Sequence, residues 1–353
     1  MKIWIHKDSR LRDILHLEAC EYETLEELEK LPDDTLQIIP LIYDETTFLD
    51  YIKKSQANIV LENPFEGSNT FVRMLETGGL LKDALAGRYA TISTGEMPES
   101  IKNCNLQYML YLTGLKNEHQ RHIMFGRHER PYTFLYLNNR IREHRVALVN
   151  EMARMELLDD ALWSHISSGR KLPGEYDLGR EITHDTLVDW TKWEAGLMVE
   201  KQHFDTYFSV QAESTVKLRY SMFSEKTWKP ILGEHPFVTL SGANHYRDLK
   251  KMGFETFDHV FGSDWHELEP WESRMKEMVR NIAKVVGPDL HDIMFDDETR
   301  RQARHNVDHF WEWYDNYAVS ATDKLCNFLE EIYPNVEAVE NRWKPNPSFE
   351  LEL

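Results

Sequence analysis

The chain has 353 residues, 41% hydrophobic and 29% charged, with a formal net charge of −19. That length exceeds one ordinary core, so two domains are expected, and the acidity disfavours nucleic-acid binding by bulk electrostatics without excluding a local basic cleft. No apolar run approaches the roughly 18–20 residues of a membrane span, MKIWIHKDSRLRD has too short an apolar stretch for a secretory signal, and three scattered cysteines (Cys20, Cys104, Cys326) imply neither a disulfide framework nor a cysteine zinc site, which fits a reducing cytoplasm.

In the first third, short apolar runs bounded by polar residues predict buried strands: KIWI (2–5), LQIIPLIY (36–43), ANIVL (57–61) and YATIS (89–93). Between them lie predicted helices at 22–31, 46–55 and 70–85, while LQYMLYL (106–112) suits either state. A second alternating set opens with the strand TFLYLN (133–138) and a helix over 142–158, whose apolar positions follow a helical period. ALWSHI (161–166), FDTYFSVQAES (204–214) and PFVTLS (236–241) are further strands, and residues 167–200 read as loops with a helix at WTKWEAGL. HYRDLKKMGF (245–254) is a short helix and ETFDHVF (255–261) a strand or sheet edge. From about 268 the chain turns helical, with WESRMKEMVRNIAKVV (271–286) stopping at Gly287–Pro288 and a long stretch over 298–333 that reads as one helix or two. Strand–helix alternation predicts parallel sheets, here two doubly wound α/β domains facing a cleft with the helical C-terminus packed back across them. The expected boundaries are 1–130, 131–300 and 301–353.

Two basic islands stand out from the acidic average. Residues 121–145 carry six Arg and two Glu, a local +4, and residues 214–229 carry four Lys or Arg against Glu225, a local +3. In FLYLNNRIREHR a strand ends, Asn138 and Asn139 suit a tight turn, and Arg140, Arg142 and Arg145 gather where a helix starts. Guanidinium forks fit the paired oxygens of a pyrophosphate, and arginine at a helix N-terminus opposes the dipole unless an anion sits there. A solvated helix start with Glu143 as partner is the plainer account.

FSEKTWKPILGEHPF (223–237) places Glu225, Lys226 and Lys229 on a helix between two strands. A carboxylate can accept from the two hydroxyls of a ribose, an ammonium can hold a phosphate, and the helix start favours anions. Neighbouring residues on a helix do not face each other, which argues against Glu225 and Lys226 existing merely to pair. The alternative is a lone ion pair above a helix whose Trp228 and Ile231 face the core. In LENPFEGSNT (61–70), Glu66 beside flexible Gly67 is preferred over Glu62 as a general base for an acceptor hydroxyl, against a plain acidic loop. His305 and His309 share a helical face at metal-ligand spacing, but without an HExxH pattern a structural role is favoured. The P-loop, GxGxxG, GxSxG and D-x-D patterns are all missing, which points away from nucleotide hydrolysis, dinucleotide redox chemistry and a metal-dependent single-domain sugar transferase.

FLYLNNRIREHR, FSEKTWKPILGEHPFV and LKKMGFETFDHVF together resemble a bacterial and phage group of GT-B-type glycosyltransferases with an E-K-T-x-K-P motif, over about residues 132–262. Glu225–Lys226 also resembles the T-E-K motif of α-1,3-fucosyltransferases, though little else of that pattern is present. The resemblance implies two Rossmann-like domains, an acceptor domain at 1–130 and a donor domain at 131–300. It further implies a UDP- or GDP-linked sugar donor, with Glu225 on the ribose and Lys226 and Arg140 on the diphosphate. Asn138, Arg142, Arg145 and Lys229 complete the expected donor site, Glu66 is the expected base, and no obligatory cofactor or metal is expected. The acceptor stays open between a hydroxymethylated DNA base, a glycan and a small molecule. A non-catalytic nucleotide- or sugar-binding protein on the same fold is the alternative class.

Overall fold

A computed structural model describes residues 2–7, 9, 11, 19–32, 34–41, 46–63, 68–93, 97–106, 128–138, 142–165, 200–217 and 223–334. The chain divides into two units, residues 1–116 with 314–353, and residues 117–313.

In the first unit, strands β1 (Ile3–His6), β2 (Cys20–Tyr22), β3 (Leu36–Pro40), β4 (Asn58–Glu62), β5 (Ala90–Ser93) and β6 (Asn103–Asn105) form a sheet ordered β2-β1-β3-β4-β5-β6. Every pairing is parallel. All residues of β3 and β5 are buried, as expected where helices cover both faces of a parallel sheet. Helices α1 (Leu25–Glu29), α2 (Thr46–Lys54), α3 (Ser68–Thr77) and α4 (Leu81–Leu85) connect the strands, and Leu28, Ile52, Phe71 and Leu75 pack onto Ile39, Ile59 and Leu61.

Two predicted helices differ in this unit. Residues 20–22 join the sheet, and the helix begins only after Thr24, which with Glu27 forms a capping box. The helix expected over 70–85 breaks at Gly78–Gly79, where Gly79 adopts φ +68 and Leu80 N–H returns to the Leu75 carbonyl at 2.7 Å.

In the second unit, β7 (Tyr132–Asn138), β8 (Leu162–His165), β9 (Thr206–Ala212) and β10 (Phe237–Leu240) form a parallel sheet ordered β10-β9-β7-β8. Its helices are α5 (Glu143–Arg154), α6 (Glu200–Phe204), α7 (Glu225–Leu232), α8 (His245–Lys251), α9 (Asp258–Phe261), α10 (Trp271–Val285) and α11 (Leu290–Met294). ETFDHVF, expected as a strand, instead supplies the single helical turn α9. Its aromatic and β-branched residues suit a strand, but Thr256 bonds the Asp258 side chain and Gly262 closes the turn at φ +70.

The C-terminal stretch is one helix, α12 (Asp297–Ile332, 36 residues), without an internal Gly or Pro to break it. Its residues through Trp313 belong to the second unit and those from Tyr314 to the first. WTKWEAGL lies outside the described residues, as does LQYMLYL beyond Leu106.

Candidate functional site

From β7 the chain moves outward to β8, then crosses back to β9 on the other side. Connections therefore leave the C-terminal ends of β7 and β9 in opposite directions, which opens a crevice where open α/β sheets bind ligands. Of the first basic island Arg142 and Arg145 sit there, and of the second Lys217 and Lys226, whereas Arg130 bonds the His203 and Thr206 carbonyls at the start of β9, and Arg121, Arg127 and Arg219 lie outside the described residues. Asn138 ends β7 and leads to α5, and β9 ends at Ala212 and leads to α7.

Side chains from both connections meet. Arg142, the N-cap residue of α5, donates to the Ser214 carbonyl just past β9. His144 Nε2 lies 2.9 Å from the Glu213 carbonyl, and burial pushes its imidazole down to about 4. Arg145 is only 3% exposed and donates to Asn138 Oδ1 at 2.9 Å. Burial lowers its pKa from the ordinary guanidinium value, an effect opposed by Tyr136, Glu213 and Glu225 and reinforced by Arg142. Asn138 and Arg145 therefore brace each other inside the protein, and the field of Glu225 links the two islands. Glu143 pairs with Lys217 of the second island at 2.8 Å rather than with an arginine of its own helix.

At the start of α7, Lys226 Nζ bonds Glu225 Oε1 at 2.6 Å and Ser224 Oγ at 3.2 Å. This corrects the expectation that neighbours on a helix would not pair: in the first turn both long side chains fold back towards the cap. They stay partly accessible, 22% for Glu225 and 21% for Lys226. Burial pushes the Glu225 carboxyl up, but Lys226 and Lys229 together with the Lys226 hydrogen bond outweigh it and hold the group below its usual range. On the opposite face Trp228 is fully buried against Phe254, Phe310 and Trp313, which anchors the helix.

The bare helix N-terminus expected to receive a phosphate is not present. Ser224 caps the helix by accepting from Lys226 N–H, and its carbonyl takes Thr227 N–H at 3.0 Å and Trp228 N–H at 3.4 Å. Ser224 N–H is itself bonded to Glu213 Oε1 at 3.1 Å. An anion here would be met by side chains, chiefly Arg142 and Lys226, rather than by amides. Sequence reading missed Glu213, Ser224, Thr227 and His144. Ser224 carried a signal as an N-cap residue before an acidic first turn, whereas the other three act through partners distant in sequence.

A further brace comes from Arg274 of α10, also unanticipated, which is buried and donates to the carbonyls of Ser241 (3.0 Å), Val216 (3.0 Å) and Leu268. It thereby holds the segment after β9 to the end of β10.

Arg140 and Glu66 lie outside the described residues. Glu62, the alternative base, ends β4 in the first unit and is buried. His305 and His309 direct their Nε2 atoms at the carbonyls of Gly253 (3.0 Å) and Met252 (2.6 Å), closing the end of α8.

No helix among the described residues is long and apolar enough to cross a membrane. No protein-family model, curated protein or solved structure matches the chain.

Proposed function

We propose that the chain is a nucleotide-sugar-dependent glycosyltransferase of GT-B type, with the second unit on the donor side and the first on the acceptor side. One observation carries the reading: cations from two islands separated in sequence, Arg142 and Arg145 from one and Lys217 and Lys226 from the other, gather at the C-terminal ends of β7 and β9, at the strand-order reversal, with the Glu225 carboxylate beside them. A cation rim with the partly accessible Glu225 carboxylate beside it suits a ligand that carries both a diphosphate and a vicinal diol.

In this reading Glu225 accepts from the ribose hydroxyls, and Arg140, Arg142, Lys226 and Lys229 offset the diphosphate charge. The acceptor oxygen attacks the anomeric carbon, the bond to the diphosphate breaks, and Glu66 takes the acceptor proton. Side-chain cations stabilise the leaving group, so no obligatory metal enters. The acceptor is a hydroxyl, with a hydroxymethylated DNA base flipped from its duplex among the classes to test.

The test is a thermal-shift panel of UDP- and GDP-sugars on the parent and Glu225→Ala. A donor at about 100 times its Kd adds about 2.7 kcal/mol to the parent, and the variant should lose that shift while remaining folded. Unchanged donor binding by folded Glu225→Ala would sink the site assignment. Binding without transfer to any acceptor would leave a nucleotide-binding protein. Duplex DNA binding that weakens steeply with salt selects the DNA acceptor, and none at low salt removes it.

A further inference from the structure

We infer that Glu213 is the positioning residue of this site: its buried carboxylate fixes the first turn of α7 to the end of β9, whose following main-chain carbonyls receive His144 and Arg142 from the start of α5, so that Arg142, Glu225 and Lys226 stand together. What those side chains bind rests on the functional reading above; the positioning does not.

Glu213 directly follows β9 and is 0% exposed. Its Oε1 accepts from Ser224 N–H at 3.1 Å and Thr227 Oγ1 at 2.7 Å. Its Oε2 accepts from Ser224 Oγ at 2.6 Å and from its neighbour Ser214 N–H at 3.3 Å. The Glu213 carbonyl meets His144 Nε2, and the next carbonyl, that of Ser214, receives Arg142. One residue thus joins a strand end to the starts of two helices 11–14 residues downstream and about 70 upstream.

The donor set requires a carboxylate. Each oxygen faces a backbone N–H that can only donate: Ser224 on one side, Ser214 on the other. An amide of the same shape would turn its NH2 against one of them. Stability alone does not explain the arrangement, since burying a charge costs free energy and Ser224 already caps the helix. What the network adds is direction. With the first-turn amides already engaged, ligand contact falls to side chains whose backbone origins Glu213 fixes, and a loosened support leaves such a site present but misaligned.

The test compares Glu213→Gln with Leu75→Ala, a destabilising cavity in the core of the first unit, away from the site. Two readouts are used, amide hydrogen exchange across residues 214–228 and calorimetric affinity for UDP and GDP below both melting transitions. Glu213→Gln should exchange Ser224–Trp228 about tenfold faster or more while β7 and β10 keep their protection, and should bind nucleotide at least about tenfold more weakly. Leu75→Ala should bind as the parent does despite its lowered melting temperature. Unchanged protection at 224–228, or parent-like affinity in Glu213→Gln, would overturn the inference. If the parent binds neither nucleotide, the functional reading fails and the exchange result alone decides the positioning. If Glu213→Gln does not fold, Thr227→Val, which removes one donor to the carboxylate, must show a smaller acceleration in the same amides or the inference falls.

Discussion

Gly253→Ala tests the packing of α12 onto the second unit. Gly253 follows α8 at φ +94, and a Cβ there would lie 2.4 Å from His309 Nε2 and 2.7 Å from its Cε1. The ring cannot simply withdraw, because Nε2 is held 2.6 Å from the Met252 carbonyl and the ring packs edge-on to Phe254 at 4.9 Å. An alanine at positive φ costs about 1–2 kcal/mol. Displacing His309 forfeits a hydrogen bond of about 0.5–1.5 kcal/mol and forces repacking of about 1–3 kcal/mol. The sum, roughly 3–6 kcal/mol, corresponds to a fall of about 10 °C or more in Tm for a unit of this size. Urea and thermal unfolding of Gly253→Ala, His309→Ala and the double variant measure it. In the His309→Ala background the clash is gone, so the glycine substitution should cost only the backbone part, about 1–2 kcal/mol. An equal penalty in both backgrounds, or one below about 1 kcal/mol in the parent, would refute the steric argument.

Further expectations concern pH. Burial pushes the imidazoles of His144 and His266 down to about 4 and that of His235 well below its ordinary value. Between pH 6.5 and 4 the unfolded chain takes up protons that the folded one refuses, so this stability is complete above 6.5 and is lost as the pH falls. The full loss is on the order of 3 kcal/mol each for His144 and His266. Tm should drop steeply over that window, and His266→Phe, which keeps a ring stacked on Tyr246, should flatten the slope; a parent Tm that is flat from pH 7 to 4.5 contradicts this. Glu234 carries the opposite sign. Burial raises its carboxyl to about 7 despite Arg304 at 3.1 Å, so the stability it contributes is complete below the unfolded pKa and is lost as pH rises through 7. Glu234→Gln should therefore raise Tm more at pH 8 than at pH 5, and equal effects at both would show that the residue stays ionised.

The strands were legible where physics leaves few choices. LQIIP, NIVLE and FVTL are short, mostly apolar and bounded by polar residues, which suits strands covered on both faces. The three-residue strands CEY and NCN carry no such pattern and exist only because a formed neighbour offers its backbone. In the site, the helix start at Glu225 and the gathering of Arg142 and Arg145 after β7 were readable as local chemistry. The inward turn of Arg145 to Asn138, the direct Glu225–Lys226 pair and the closed amides of α7 were not.

The sequence by itself determined a parallel α/β chain with two cation-rich strand–helix junctions, because apolar run length and local charge are properties of neighbouring residues. Only the tertiary structure decided that those junctions share the C-terminal end of one sheet and that Glu213 joins them. A buried carboxylate takes its meaning from the donors that surround it, and most of those donors come from segments far along the chain.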